Sequence, residues 1–196
     1  NQRLTTFVEL LHGLGWQTAM WSDNPNITPP VGFAQGAESF RDYFHQPCHP
    51  EHCGELPEIL SDVDRWFAET RDAARPFCLY VHVMDAHYPY EPPPETRGRF
   101  DRTPSDLQLT GPIVHDYMTG KRSEEKLTPE RLTSLVDRYD EELLALDGRL
   151  GPFLERMRRE HPNTVIVVSG DHGEEFFEHG NLGHSHALWQ ELVHVP

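Results

Sequence analysis

Two short runs, residues 77–84 (FCLYVHVM) and 163–170 (NTVIVVSG), constrain the fold more than any other feature of this 196-residue chain. Each is mostly apolar at its centre, of strand length, and bounded by turn residues, the pattern of a parallel strand covered on both faces. Between and around them lie helical periodicities. Leu4, Phe7, Val8, Leu10, Leu11 and Leu14 recur at helical spacing before Gly13 and Gly15. Residues 56–74 place Ile59, Leu60, Val63, Trp66 and Phe67 on one side of a helix with Pro57 early. Thr128 and Pro129 open a longer helix whose stripe is Leu132, Leu135, Val136, Tyr139, Leu143, Leu146 and Leu150, with a kink or break at Pro152. WQTAMWS, residues 16–22, reads as a further strand by its period-two alternation. The alternation predicts an α/β domain: a central, mostly parallel sheet covered by helices on both faces.

The connections are as informative as the elements. Residues 23–55 and 85–128 are long irregular insertions in a single domain over 1–196, the first with one short helix near residues 38–44. Residues 185–196 start as a helix and end where another strand would begin. In open parallel sheets, ligands bind outside the carboxyl ends of the strands. One run exits into Asp85, His87, Tyr88 and Tyr90; the other exits into Asp171, His172, Glu174, Glu175, His179, His184 and His186. Asp171 and His172 stand at the exit of a buried strand between Gly170 and Gly173, where a metal ion is what makes such a pair tolerable. Glu174, Glu175 and Glu178 read as a solvated acidic turn, and His179 and His186 as loop hydrogen-bonding groups.

Charge narrows the partners. Acids outnumber Lys plus Arg by 32 to 17, which argues against a nucleic-acid backbone. No apolar run reaches membrane-spanning length, and neither a G-x-G-x-x-G nor a P-loop pattern is present. Cys78 reads as a buried thiol; Cys48 and Cys53, among His45, His49 and His52, read as a zinc site, a disulfide or free thiols. The opening NQRLTTF lacks an initiator Met and reads as a processed or cut end.

In combination, YVHVMDAHYPYEPP, the helix YDEELLALDGRLGPFLERM and the segment TVIVVSGDHGEEFFEHGNLGHSHALWQELVHVP resemble the sulfatase branch of the alkaline-phosphatase superfamily. Residues 10–40 are similar to the segment that follows the nucleophile in that family. The resemblance implies hydrolysis of sulfate or phosphate esters at a divalent metal, most typically calcium, with manganese, zinc or magnesium as alternatives. It makes Asp171 and His172 metal ligands. His87, in an H-x-P-Y pattern, is implied to contact the transferred group or the leaving oxygen, and His184 the ester oxyanion.

Two departures accompany it. Many sulfatases have Asn at the position of His172, and Ser22-Asp23-Asn24-Pro25 stands where arylsulfatases show G-K-x-H. The nucleophile motif and two metal-binding acids are expected ahead of Asn1; Cys48-His49-Pro50-Glu51-His52 imitates that motif out of order and reads as coincidence. The expectation is therefore a sulfatase fragment, inactive alone, that hydrolyses sulfate esters in the intact protein. The alternatives are a phosphate- or phosphonate-ester hydrolase or headgroup transferase of the same superfamily, and a non-catalytic domain that keeps the fold.

Overall fold

The computed structural model describes residues 4–45, 55–104, 111–119, 121 and 127–196. Cys48, His49, His52 and Cys53 lie outside the described residues. The chain divides into two compact units, residues 1–85 and 86–196.

The first unit is built on a parallel sheet. Helix α1 (Phe7–Gly13) opens with a reciprocal cap: Thr6 Oγ1 accepts from the Glu9 amide at 3.1 Å, and Glu9 Oε2 accepts from the Thr6 amide at 2.8 Å. Its apolar stripe stays largely uncovered, with Leu4, Phe7, Leu10 and Leu14 all exposed. Strand β1 (Gln17–Ser22) is buried at every position, so the expected alternation gives way to the pattern of a central strand. It pairs in parallel with β2 (Ser39–Asp42) on one side and β3 (Phe77–His82) on the other.

Strand β2 corrects the helix expected near residues 38–44. The Glu38 amide donates to the Thr18 carbonyl at 2.9 Å, and the ladder continues from Ala19↔Ser39 to Ser22↔Asp42. Pairing with a buried neighbour outweighs local propensity there. Helix α2 (Leu56–Arg65) buries Leu56, Ile59 and Val63, and a π-helical turn over Trp66–Thr70 carries Trp66 onto the sheet. The Trp66 ring meets Trp21 edge-on at 5.7 Å and Phe77 at 6.3 Å. The expected stripe is met at Ile59, Val63 and Trp66, while Leu60 and Phe67 are only half-buried.

The second unit is dominated by α4 (Pro129–Glu160), capped by Thr128 Oγ1 on the Arg131 amide. The helix runs through Pro152 without the expected break, since one missing ladder bond is a small fraction of a 32-residue helix. Its first half carries the expected stripe, with Leu135 in a core of Tyr90, Val114 and Leu182, and Leu132 and Tyr139 packed alongside. Leu143 is exposed, and the buried track instead passes through Glu141 and Ala145. Glu141 Oε1 accepts the amides of Phe100 (2.7 Å) and Asp101 (3.0 Å), pinning the preceding loop to the helix. Helix α3 (Gly111–Met118) forms inside the stretch read as irregular.

The largest correction concerns residues 164–170. They form no strand, and Val165 and Val167 are 87% and 82% exposed. An apolar run becomes a buried parallel strand only when a ladder and cover exist on both sides, and among the described residues none pairs with this one. The third strand of the sheet is β2 instead. Beyond the run, β4 (Glu175–Phe176) and β5 (Leu182–Gly183) form a small antiparallel hairpin, and the chain ends in α5 (Gln190–Val193). Residues 194–196 are not in a strand, and no helix among the described residues is long and apolar enough to cross a membrane.

Candidate active site

The second unit gathers three imidazoles. His172 and His184 stack with ring centroids 4.0 Å apart, and His87 meets the His184 ring edge-on at 5.2 Å. Backbone strain flanks two of them. Ala86, just before His87, and Ser185, just after His184, have φ of 69° and 71°, a left-handed conformation uncommon outside glycine. Such conformations cost about 1–3 kcal/mol each and persist where surrounding contacts impose them.

The three rings share a tautomer. His87 Nδ1 lies 2.6 Å from the Tyr88 carbonyl, and His172 Nδ1 lies 2.8 Å from the Gly173 carbonyl. His184 Nδ1 lies 2.8 Å from Glu174 Oε1. Carbonyl and carboxylate oxygens only accept, so each Nδ1 carries the proton, and each ring keeps Nε2 for another partner. Glu174 also pulls the His184 imidazole above its ordinary pKa through this hydrogen bond, against the opposing effect of burial.

The hairpin explains how Glu174 reaches His184. Glu175 pairs with Gly183 and Phe176 with Leu182, so one step outward sets Glu174 opposite His184. The acidic turn expected to be solvated is instead buried at two of its three positions: the Glu174 side chain is 7% exposed, and Glu175 is fully buried. Glu174 Oε2 accepts from the Tyr90 hydroxyl at 2.5 Å, and Glu175 Oε2 lies 2.7 Å from His186 Nε2. Sequence reasoning missed both because their partners lie about ten residues on, across a turn. The signal available was the alternation of Glu174 and Glu175 with His184 and His186 about a hairpin centre.

Gly173 has a role other than a sharp turn. Its amide donates to the Leu192 carbonyl at 2.8 Å, and a Cβ there would lie 1.9 Å from the Glu191 carbonyl oxygen. Only glycine lets this loop lie against the backbone of α5.

Asp171 Oδ1 lies 3.7 Å from His172 Nε2, the nitrogen that the Gly173 carbonyl leaves available. A carboxylate oxygen beside an imidazole nitrogen is a donor pair whose chemistry suits manganese or zinc and admits calcium. Among the described residues, no group of three or more such side chains is arranged to hold an ion, and two donors fall short of the four usual for zinc.

A family model described as Sulfatase matches residues 1–196. An N-acetylglucosamine-6-O-sulfatase of Bacteroides thetaiotaomicron is 32% identical over 97% of this chain and 48% of its own length. The chain thus spans about half the length of that curated relative. Among solved structures, the phosphonate monoester hydrolase of Agrobacterium radiobacter superposes with a TM-score of 0.73 at 14% identity, covering all of this chain and 52% of its own. A protein solved with its substrate D-glucosamine-2-N,6-O-disulfate gives 0.69 at 19% identity, covering all of this chain and 55% of its own. The zinc-bound C-terminal periplasmic domain of EcEptC from Escherichia coli gives 0.64 at 18% identity, over 98% and 50% of the two chains. These three likenesses establish the α/β fold.

Proposed function

The chain belongs to the sulfatase family, and we propose that, within the whole protein, it supplies the metal-binding and leaving-group side of a site that hydrolyses sulfate esters. Asp171 and His172 hold a divalent ion, which when bound draws charge off the oxygens of the transferred group. The observation that carries the reading is the convergence of His87, His172 and His184, each with its Nδ1 proton committed and Nε2 left over.

His87 and His184 then divide the remaining work. His87, with Nδ1 donating to the Tyr88 carbonyl, delivers a proton from Nε2 to the departing alkoxide when it enters the site protonated. His184 directs Nε2 at an ester oxygen, and hydrogen bonding to Glu174 favours its imidazolium form, a stronger donor to an anion. The nucleophile that attacks sulfur comes from a residue of the whole protein outside residues 1–196. A sulfated amino sugar is the first substrate class to test, given the N-acetylglucosamine-6-O-sulfatase relative.

His172 supports a second reading, a phosphate- or phosphonate-ester hydrolase. An imidazole ligand moves the preferred ion from calcium toward manganese or zinc. The deciding experiment assays the full-length protein, loaded in turn with calcium, manganese and zinc, on N-acetylglucosamine 6-sulfate and on nitrophenyl sulfate, phosphate and phenylphosphonate. Sulfate-ester turnover lost in His87→Ala and His184→Ala supports the first reading. Turnover confined to the phosphorus esters supports the second. Metal-dependent turnover of neither class, in a folded protein, sinks both.

A further inference from the structure

The carboxylate of Glu174 occupies a position that the reading above leaves unexplained. Its side chain is 7% exposed and makes two hydrogen bonds, one from His184 Nδ1 at 2.8 Å and one from the Tyr90 hydroxyl at 2.5 Å. Tyr90 belongs to the core with Val114, Leu135 and Leu182, and its ring packs on Tyr139 at 5.3 Å. The line Tyr90–Glu174–His184 therefore runs from packed core to candidate site. An acid placed only to join hairpin to core would be costly, since burying a carboxylate is unfavourable and apolar side chains could do the same.

We propose that Glu174 is a positioning residue, anchored by Tyr90, that fixes the orientation of the His184 ring, with Nδ1–H held on the carboxylate and Nε2 turned to the ester; this rests on the reading of His184 as an ester-contacting group. Turning the His184 ring over would exchange Nδ1 for Nε2 and break the hydrogen bond to Glu174. The left-handed backbone at Ser185 and the stacked His172 ring restrict the same side chain from two further directions. Orientation enforced in this way, through the partner of the outward-facing nitrogen's opposite number, is how a histidine is held to one task.

The test compares Glu174→Met, Glu174→Gln and Tyr90→Phe in the full-length protein. Glu174→Met removes the acceptor at similar length. It should lower kcat about 10- to 100-fold with KM little changed. Glu174→Gln keeps an acceptor oxygen for Nδ1 and should recover part of that loss, with Tyr90→Phe showing a smaller deficit. Nitrogen-15 NMR at a pH high enough for the His184 ring to be neutral, with its signals assigned by their absence in His184→Ala, reads which nitrogen keeps the proton and so whether Nδ1 stays held on residue 174. The wild type should be protonated at Nδ1, and Glu174→Met should show a mixture. An unchanged His184 tautomer in Glu174→Met overturns the proposal, as does wild-type kcat in that variant. If the wild type turns over no ester, the functional reading fails while the NMR comparison still decides the role of Glu174.

Discussion

His186 Nε2 lies 2.7 Å from Oε2 of Glu175, a carboxylate with no solvent exposure, while Oε1 of the same group accepts the amides of His179 at 3.0 Å and Asn181 at 2.9 Å. One acid thus closes the hairpin that also carries Glu174 and leads to His184. Replacing Glu175 by Ala should remove the acceptor of both amides and of His186; a hydrogen bond to a charged group is worth about 1.5–3 kcal/mol. Urea unfolding of the full-length protein measures the loss, and a midpoint equal to wild type would mean that water replaces the carboxylate at no cost.

The same group sets a pH dependence. Burial pushes the Glu175 carboxyl up, but hydrogen bonds from His186 and the Asn181 and His179 amides prevail and hold it below the usual glutamate value of 4.5. A depressed carboxyl stabilises the fold above its unfolded value, and the gain disappears as pH falls through the folded one. The stability difference between wild type and Glu175→Gln should therefore be constant above pH 4.5 and shrink below it. A difference that grows on acidification contradicts the assignment.

In the first unit, the Tyr43 hydroxyl donates to Asp62 Oδ2 at 2.7 Å, and Arg41 and Arg65 reach the same carboxylate at 2.9 and 2.8 Å. Burial foremost, and the Asp62 hydrogen bond after it, push the Tyr43 phenol up, so it stays protonated and keeps donating. Tyr43→Phe should destabilise by about 1.5–3 kcal/mol, the range for a hydrogen bond to a charged group. Equilibrium unfolding followed by tryptophan fluorescence reads this, because Trp21 and Trp66 lie in that unit.

Glycine substitutions should split by position. A Cβ on Gly173 would meet the Glu191 carbonyl oxygen at 1.9 Å, so Gly173→Ala must move backbone and should cost more than about 3 kcal/mol. A Cβ on Gly148, inside α4, meets nothing within 4 Å, and Gly148→Ala should stabilise by about 0.5–1 kcal/mol. Thermal denaturation of the two variants distinguishes them by sign.

His172→Ala in the full-length protein should remove bound metal and ester turnover while the metal-free protein unfolds at the wild-type temperature. Among the described residues, the half-exposed His172 ring meets its neighbouring carbonyl, the Asp171 carboxylate and the His184 ring, and none of these belongs to the hydrophobic core. Elemental analysis decides the point: unchanged metal content would make His172 an ordinary loop histidine.

Helices α2 and α4 and strands β1 and β3 were legible in the sequence because their signals are local. Ile59, Val63 and Trp66 recur at helical spacing, Thr128 caps its own helix, and residues 77–82 form a short apolar run. Residues 164–170 carried an equally strong strand signal, yet Val165 and Val167 stay exposed, because a strand exists only with a paired neighbour. Strand β2 is the converse case: a weak local pattern drawn into the ladder by β1. At the candidate site, residue types and neighbours in sequence brought Asp171 and His172 to notice. The burial of Glu174 and Glu175 depended on partners across a hairpin, and that of Glu174 also on a tyrosine 84 residues away. Periodicity and caps act within one or two helical turns, so the sequence alone determined where most elements run. Pairing, burial of acids and the choice of ring nitrogen depend on atoms that only the folded chain brings together, and those the tertiary structure decided.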